Sequence, residues 1–430
     1  MEKSIFQIPF RVLQRYRFYQ KSQFWTKKQI ETYQDEKLKK LIQHARKHVP
    51  YYRSLFKKIE LDIDNFSGRK DLVHIPFLDK ETVRSNKEQL VSDNAEKFGI
   101  TWDSTSGSTG TPLHFILDNS VQANKIAALL RSYNWAGYRL GKRTFSIQSY
   151  YFPNTDYKFN PFYNILRFDS NRLSRESALR VIDKINKLKP KFFMGFPFDL
   201  LMLATFAQDA GIEIYPPQSI VAYGETLSDE KRNLLEKFYK CKVYNFFSMH
   251  ECGAMISECA HGNLHLIEDF AYHEIIEEEG LSKLVGTSLY NFSMPLIRYK
   301  TNDIVVPETE TTTCKCGRNF RIVKKILGKQ CDYIETPDGR ILGAVMSHSI
   351  DNAQGVICSQ LIQNSLRHID VKLIIDSSYD ENSQQKLEQG LRKRLGTEIE
   401  LKFMQVSQLE KLEKSGKTPF IISKIGNKFT

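Results

Sequence analysis

Ser104-Thr105-Ser106-Gly107-Ser108-Thr109-Gly110-Thr111-Pro112 is a hydroxyl- and glycine-dense stretch set between two short strand-like runs. Gly107 and Gly110 remove side-chain bulk, so the backbone can approach a polyphosphate while Ser and Thr hydroxyls and backbone N–H groups donate to its oxygens. The stretch is not a Walker-type loop. Such a loop ends in Gly-Lys-Ser/Thr and opens into a helix, whereas Thr111-Pro112 leads into apolar Leu113, Phe115, Ile116 and Leu117. On spacing alone, a Ser/Gly-rich hairpin turn fits the same residues equally well.

Outward from this stretch, helical and strand-like segments alternate. Leu38, Leu41, Ile42 and Ala45 fall on one helix face between Ile30 and Val49, and Pro50 should end that helix. Asp79 reads as an N-cap, a short strand is expected near Phe98 to Trp102, and Asp118-Asn119-Ser120 should cap a helix running to about Tyr138. A helix carrying Leu179, Ile182, Ile185 and Leu188 stops at Pro190. Strands follow at Phe192 to Met194, Ile220 to Tyr223 and Val243 to Phe247. This alternation favours an α/β sheet architecture. A boundary is expected near Gly328 to Cys331, giving a large domain over 1–328 and a small α+β domain over 329–430. The small domain should hold a Pro337-Asp338-Gly339 turn and a helix near Met346 to Gln354. Strands at Leu361 to Gln363 and Val371 to Ile375 and a helix with Leu387, Leu391 and Leu395 complete it.

Composition bounds the function. The chain has 430 residues, more than one core of usual size accommodates. No run approaches the length of a membrane span and no apolar signal-peptide core is visible, so a cytoplasmic location is expected. Seven cysteines suit reduced thiols or metal ligands better than a disulfide framework. The net charge of +12 is spread along the chain without any nucleic-acid motif, which argues against nucleic acid as a partner. Arg11, Arg15, Arg17 and Lys21 mixed with Phe6, Phe10, Tyr16 and Phe18 allow at most peripheral membrane contact.

Four further constellations carry chemistry. His250-Glu251-Cys252 follows a strand, where Glu251 can hold Mg²⁺ against phosphates or simply cap the next helix. Pro295 to Asp303 puts Asp303 just after an expected strand, placed to accept hydrogen bonds from ribose hydroxyls or to make a turn. Cys314-Lys315-Cys316-Gly317 resembles a metal knuckle. With Cys259 and His265 it would make a tetrahedral Cys₃His zinc set, His261 being the substitute if His265 faces elsewhere, and reduced loop cysteines without metal are the alternative. Such a site is structural because four protein ligands leave no open position. Lys414-Ser415-Gly416-Lys417-Thr418 is a basic loop that matters only if it reaches the phosphates.

In shared order, these segments resemble the adenylate-forming enzymes, and within them the phenylacetate–CoA ligase and CapK-like group linked to capsular polysaccharide synthesis. The resemblance also takes in His44 to Arg53, Gly224-Glu225-Thr226-Leu227, Gly328 and Ser415-Gly416-Lys417. It implies a large multi-sheet AMP-binding domain with a small mobile C-terminal lid. It also implies an AMP-forming ligase, in which a carboxylic acid attacks ATP to give an acyl-adenylate. The acyl group then passes to CoA or to an acceptor on a sugar precursor.

By position, Thr105, Ser106, Gly107, Ser108, Thr109, Gly110 and Thr111 would hold the phosphates, and Glu251 would bind Mg²⁺. Gly224, Glu225 and Asn245 would flank adenine, with His250 and Lys329 nearby, and Asp303 would hold the ribose. Lys417 would neutralise the attacking carboxylate and α-phosphate, with Arg340 as a second cation. Departures stand beside these matches. Phe247-Ser248 replaces the usual Tyr-Gly, His250 replaces Thr or Ser, Lys329 replaces Arg, and Cys331 replaces the hinge aspartate. They leave room for a second reading, a non-catalytic homologue that serves as a zinc-stabilised binding component of polysaccharide assembly. Tyr150, Tyr151, Phe152, Tyr163 and Phe196 would suit a ring or apolar acyl chain, or plain core.

Overall fold

Asp79 and Asp118 both cap helices. Asp79 accepts the Thr82 N–H at 2.7 Å and Asp118 the Val121 N–H at 2.9 Å, starting the helices Lys80–Ser85 and Asn119–Trp135. The computed structural model describes residues 10–104, 113–148, 150, 152, 154–278, 280–309, 313–329, 334–337, 341–342, 353–411 and 418–425. These divide into two compact units, each discontinuous in sequence. One comprises residues 1–140 and 246–325, the other 141–245 and 326–430.

In the first unit, the helices Phe10–Ser22 and Lys27–His48 are followed by Pro50–Lys58. Thr26 and Gln29 form a capping box at the start of the long helix. Pro50 both stops that helix and starts the next, because proline at N1 lacks only an N–H that would go unused. The expected strand near Phe98 is corrected. Ala95–Phe98 is a 3₁₀ turn, Gly99 takes a positive φ of 66°, and the strand is Ile100–Ser104, paired antiparallel with His114–Asp118. A second sheet carries Ala271–Glu278, Leu281–Ser288 and Tyr299–Pro307 in antiparallel order, with Met255–Glu258, Leu264–Leu266 and the start of Ile322–Lys329 beside them.

Of the N-terminal aromatic and basic residues, Phe18 and Tyr19 pack inside this unit while Arg11, Arg17 and Lys21 are exposed. Tyr19 is fully buried, and Phe18 packs edge-on against Trp25. Arg131 of the helix Asn119–Trp135 makes a fully buried two-pronged pair with Asp269, at 3.0 and 3.1 Å. Ser22 Oγ donates to the same carboxylate at 2.5 Å. A buried pair satisfied on this many sides ties the first helix to the sheet, and removing one partner would strand a charge.

His273 is buried in the same unit and its Nε2 accepts the Met255 N–H at 3.3 Å. Burial lowers its pKa to about 3. The unfolded chain therefore takes up this proton first as pH falls below 6.5, and stability is expected to drop by about 1.4 kcal/mol per pH unit across that window. Urea unfolding between pH 6.5 and 5 should show a steeper slope than the same measurement on His273→Gln.

In the second unit, Thr144–Gln148 lies parallel between Ile165–Asp169 and Phe192–Gly195, Ser219–Tyr223 pairs parallel with the far side of Phe192–Gly195, and Tyr157–Asn160 adds an antiparallel edge beside Ile165–Asp169. Phe145, Ile147, Phe168, Phe193 and Ile220 pack from one face onto the helices Arg175–Leu188, Pro197–Asp209 and Asp229–Tyr239. A four-stranded sheet follows, in the order Glu400–Gln405, His368–Ile375, Val356–Ser365, Ile421–Ser423. Its central pair is antiparallel and its outer pairs parallel. Helix Glu381–Leu395 packs Leu387, Leu391 and Leu395 onto it. Cys358, Ile374 and Leu409 join the first core of this unit. The helix expected near Met346 lies outside the described residues.

Candidate functional site

The first unit gathers a carboxylate group at the mouth of the hydroxyl-rich stretch. Asp103 and Ser104 end the strand that leads into it. Asp103 faces His250, with Oδ2 3.9 Å from Nδ1, and His250 holds its carboxyl below the usual range. Lys125 Nζ approaches the His250 carbonyl at 3.4 Å. Glu251 comes next in the chain and is buried, yet among the described residues its carboxylate takes part in no hydrogen bond or ion pair. Cys252 follows in the left-handed region, at φ 61°, so the chain turns sharply at the acid.

Asp303 is not beyond its strand, as expected from sequence, but within it. Lys283 pairs with Ile304 and Val285 with Lys300, so Leu284 opposes three residues, Thr301 to Asp303. This bulge is stitched by Thr301 Oγ1, which donates to the Leu284 carbonyl at 2.9 Å and accepts the Asp303 N–H at 3.0 Å. Asn302 has φ 60°. A bulge re-aims the side chain that follows it, and here that side chain is Asp303. Burial pushes the Tyr299 phenol well above its ordinary range, and the charges of Glu251 and Asp303 add to the rise. The two acids therefore share one neighbourhood around Tyr299. Arg298, in the same motif, serves the scaffold instead. It pairs with Glu274 at 2.7 Å and donates to the Val73 and Ile75 carbonyls.

In the second unit, Gly224 takes φ +81°, and a Cβ there would come within 2.5 Å of the Phe196 ring. Only glycine meets both demands. Glu225 accepts the Phe198 N–H at 3.2 Å and the Thr418 N–H at 2.7 Å, so the residue bonded to Lys417 is held against the Gly224-Glu225 motif. Asn245 is buried in the strand Lys242–Ser248. Tyr150 and Phe152 stack at 5.5 Å, Tyr150 Oη lies 3.0 Å from Ser146 Oγ, and the Tyr223 hydroxyl donates to Gln148 at 2.6 Å. Residues 105–112, Tyr151, Arg340, Cys331, Lys417 and the Lys329 side chain lie outside the described residues.

The fourth group is a metal-type cluster. The ligand atoms of Cys259, His265, Cys314 and Cys316 all lie within 4.8 Å of one another. The Cys259 and Cys314 sulfurs are 3.6 Å apart, close to the edge of about 3.8 Å that tetrahedral zinc with Zn–S near 2.3 Å would set. Cys316 Sγ is 3.4 Å from His265 Nε2, while Nδ1 of that ring lies 3.2 Å from the Phe320 carbonyl, which fixes the tautomer that leaves Nε2 for a metal. Asn263 Nδ2 donates to Cys314 Sγ at 3.0 Å. The Cys259 thiol and the His265 ring facing Cys316 hold its pKa far below the ordinary thiol range. His261 is exposed and stands outside the cluster.

Residues 334–424 match the family model of the CapK C-terminal domain. Protein CapK of Staphylococcus aureus is 26% identical, over 91% of this chain and 89% of its own length. The chain is thus similar to CapK along nearly its whole length. It is also 25% identical to phenylacetate-coenzyme A ligase of Thermus thermophilus, over 72% of each chain. Its fold is that of the adenylate-forming CoA ligases: 2-hydroxyisobutyryl-CoA ligase, in the postadenylation state with R3-HIB-AMP, superposes with a TM-score of 0.75 at 15% identity, covering 94% of this chain and 92% of that one. No helix among the described residues is long and apolar enough to cross a membrane.

Proposed function

We propose that this CapK-like chain is an AMP-forming acid ligase, which joins a small carboxylic acid to AMP at the expense of ATP and then passes the acyl group to an acceptor, CoA in the first instance. The observation that carries the reading is a pair of buried acids in the first unit, Glu251 at its sharp turn and Asp303 in its bulge, whose charges both bear on the Tyr299 phenol, with Asp103 3.9 Å from His250 just before the Ser/Thr/Gly stretch. One unengaged buried acid suits Mg²⁺, which takes one or two carboxylates and leaves its other positions to phosphate and water. A second acid aimed by a bulge suits a pair of ribose hydroxyls.

Reaction at the α-phosphate needs charge stabilisation more than proton transfer, because negative charge spreads over oxygens that cations and N–H donors must already face. In this reading Thr105 to Thr111 cradle the phosphates, Glu251 holds the magnesium, and Gly224, Glu225 and Asn245 flank the adenine. Asp303 orients the ribose, and Lys417 with Arg340 meets the attacking carboxylate. Bound magnesium would neutralise phosphate charge. Cys259, His265, Cys314 and Cys316 hold a structural zinc, which supplies folding energy rather than catalysis. The small domain over 329–430 acts as the lid.

The name of one relative, phenylacetate-coenzyme A ligase, makes aryl and short apolar acids the first panel to try, and stacked Tyr150 and Phe152 suit them. The expected result is exchange of labelled pyrophosphate into ATP that depends on one of those acids, together with a rise in melting temperature on adding ATP. Neither response across a broad panel would leave the non-catalytic reading standing. That second reading is favoured by one observation, the replacement of the usual Thr or Ser by His250, paired here with Asp103.

A further inference from the structure

The helix Phe10–Ser22 divides into two faces. Val12, Tyr19 and Ser22 are buried, while Leu13, Gln14, Arg17 and Lys21 are exposed at the spacing of one helical stripe. Phe24, in the turn that follows, is exposed as well. Leu13 is 47% and Phe24 55% exposed, although the inner face of the same segment is closely packed.

The inner face holds this stripe outward. Tyr16 Oη and Gln20 Nε2 donate to Asn134 Oδ1 at 2.5 and 2.6 Å, and the Tyr19 hydroxyl donates to Asn124 at 3.0 Å. Gln23 Oε1 accepts from Trp135 Nε1 at 2.9 Å and from Arg318 Nε at 3.0 Å, and Asn319 donates to the Trp25 carbonyl at 2.8 Å. Three segments therefore meet around Gln23, residues 10–30, 119–140 and 313–325. None of them contains an aspartate or a glutamate.

The charge on this surface is accordingly of one sign. Arg139 donates to the Asn134 and Tyr138 carbonyls at 3.3 and 2.9 Å, which places it at the Tyr16 and Gln20 flank of the helix. At the Phe24 end, the Arg318 guanidinium lies 5.4 Å from the phenylalanine ring, and exposed Lys315 precedes it in the same turn. Elsewhere in this unit exposed cations are answered by acids, Arg46 by Asp64 and Arg53 by Asp93. Among the described residues, no carboxylate pairs with Arg17, Lys21, Arg139 or Lys315.

Unanswered positive charge and exposed large apolar side chains on one stripe suit a partner that is anionic at its surface and apolar beneath. A bilayer with anionic headgroups has that profile, since the cations stay among the headgroups while Leu13 and Phe24 reach the acyl boundary. Nucleic acid would answer the charge but would leave Leu13 with no apolar layer to enter. We propose that Leu13, Arg17, Lys21 and Phe24, with Arg139 and Arg318 beside them, form a docking face for an anionic lipid bilayer. The contact is peripheral, and it serves a catalytic and a non-catalytic chain alike.

The test is co-sedimentation of the full chain with vesicles of phosphatidylcholine alone, or with about one third phosphatidylglycerol, at low and at physiological ionic strength. Wild type should bind the anionic vesicles about tenfold or more tightly than the neutral ones, and less tightly as salt rises. Arg17→Gln combined with Lys21→Gln should weaken binding roughly twentyfold at low salt. Leu13→Ser combined with Phe24→Ser should weaken it about tenfold at both salt levels, because burial of apolar surface is not screened. Lys57→Gln combined with Lys58→Gln removes the same charge from the exposed end of the helix Pro50–Lys58 and should change binding about twofold at most. Each variant is checked for an unchanged melting transition.

No binding to anionic vesicles, or equal binding to neutral ones, overturns the proposal. An equal loss in the Lys57 and Lys58 variant also overturns it, because net charge and not this face is then at work. Full binding by the Leu13 and Phe24 variant overturns the insertion on which the choice of a bilayer rests. A wild-type dimer that the same variant turns into a monomer, without vesicle binding, assigns the stripe to a second copy of this chain instead.

Discussion

Lys417→Ala is expected to slow acid-dependent pyrophosphate exchange about a thousandfold, or close to 4 kcal/mol of transition-state stabilisation, with little change in the affinity for ATP. Attack of a carboxylate on the α-phosphate brings two anions together, and a fixed ammonium between them acts mainly where their charges merge. Its contribution therefore falls on kcat more than on KM. Thr418, the next residue, is held at 2.7 Å by Glu225, one of the residues proposed to flank the adenine. Lys417→Arg should recover part of the rate, since it keeps the charge but replaces a compact ammonium by a planar fork. Transfer of the acyl group from supplied acyl-adenylate should survive Lys417→Ala. Exchange at the wild-type rate in that variant would remove Lys417 from the chemistry, and equal loss of both half-reactions would assign it to folding.

The sequence is most legible where one short stretch settles its own structure. Asp79 and Asp118 announce their helices because the bond each makes is to a backbone N–H three residues on. The strands Phe192–Gly195 and Ser219–Tyr223 are short apolar runs closed by glycine or turn residues, and both are readable. Legibility fails where a distant partner decides. Asp303 looks like a residue past the end of its strand, yet it sits in a bulge created by register with Leu284 on the neighbouring strand. Asp199 and Lys411 are 212 positions apart, and neither carries a local signal of the other. Asp199 alone reads as an ordinary first-turn acid. Phe98 and Trp102 look strand-like together, while Gly99 at positive φ separates the turn Ala95–Phe98 from the true strand at Ile100.

The metal cluster joins both lessons, since its four ligands are readable as types but the choice between two histidines is not. His265 sits on the strand Leu264–Leu266 with its ring held by the Phe320 carbonyl, whereas His261 stays in the exposed turn between the paired strands. Zinc at this place would tie the turn after Met255–Glu258 to the Cys314–Cys316 knuckle, two segments about fifty residues apart.

Structural zinc in small sites is worth about 10–16 kcal/mol of apparent binding energy near neutral pH, much of it expressed as folding. Cys314→Ser combined with Cys316→Ser should therefore abolish zinc content, which elemental analysis of wild type should find near one per chain. The same double variant should leave the first unit largely unfolded in solution, with its protected amides exchanging freely. A strong chelator should act in the same direction on wild type, and more readily at low pH, where thiolates and imidazole take up protons that compete with the metal. His261→Ala should bind zinc as wild type does, while His265→Ala should not. Metal-free protein that melts at the wild-type temperature would mean that hydrogen bonds among the four side chains, with Asn263 donating to Cys314, suffice to hold the knuckle.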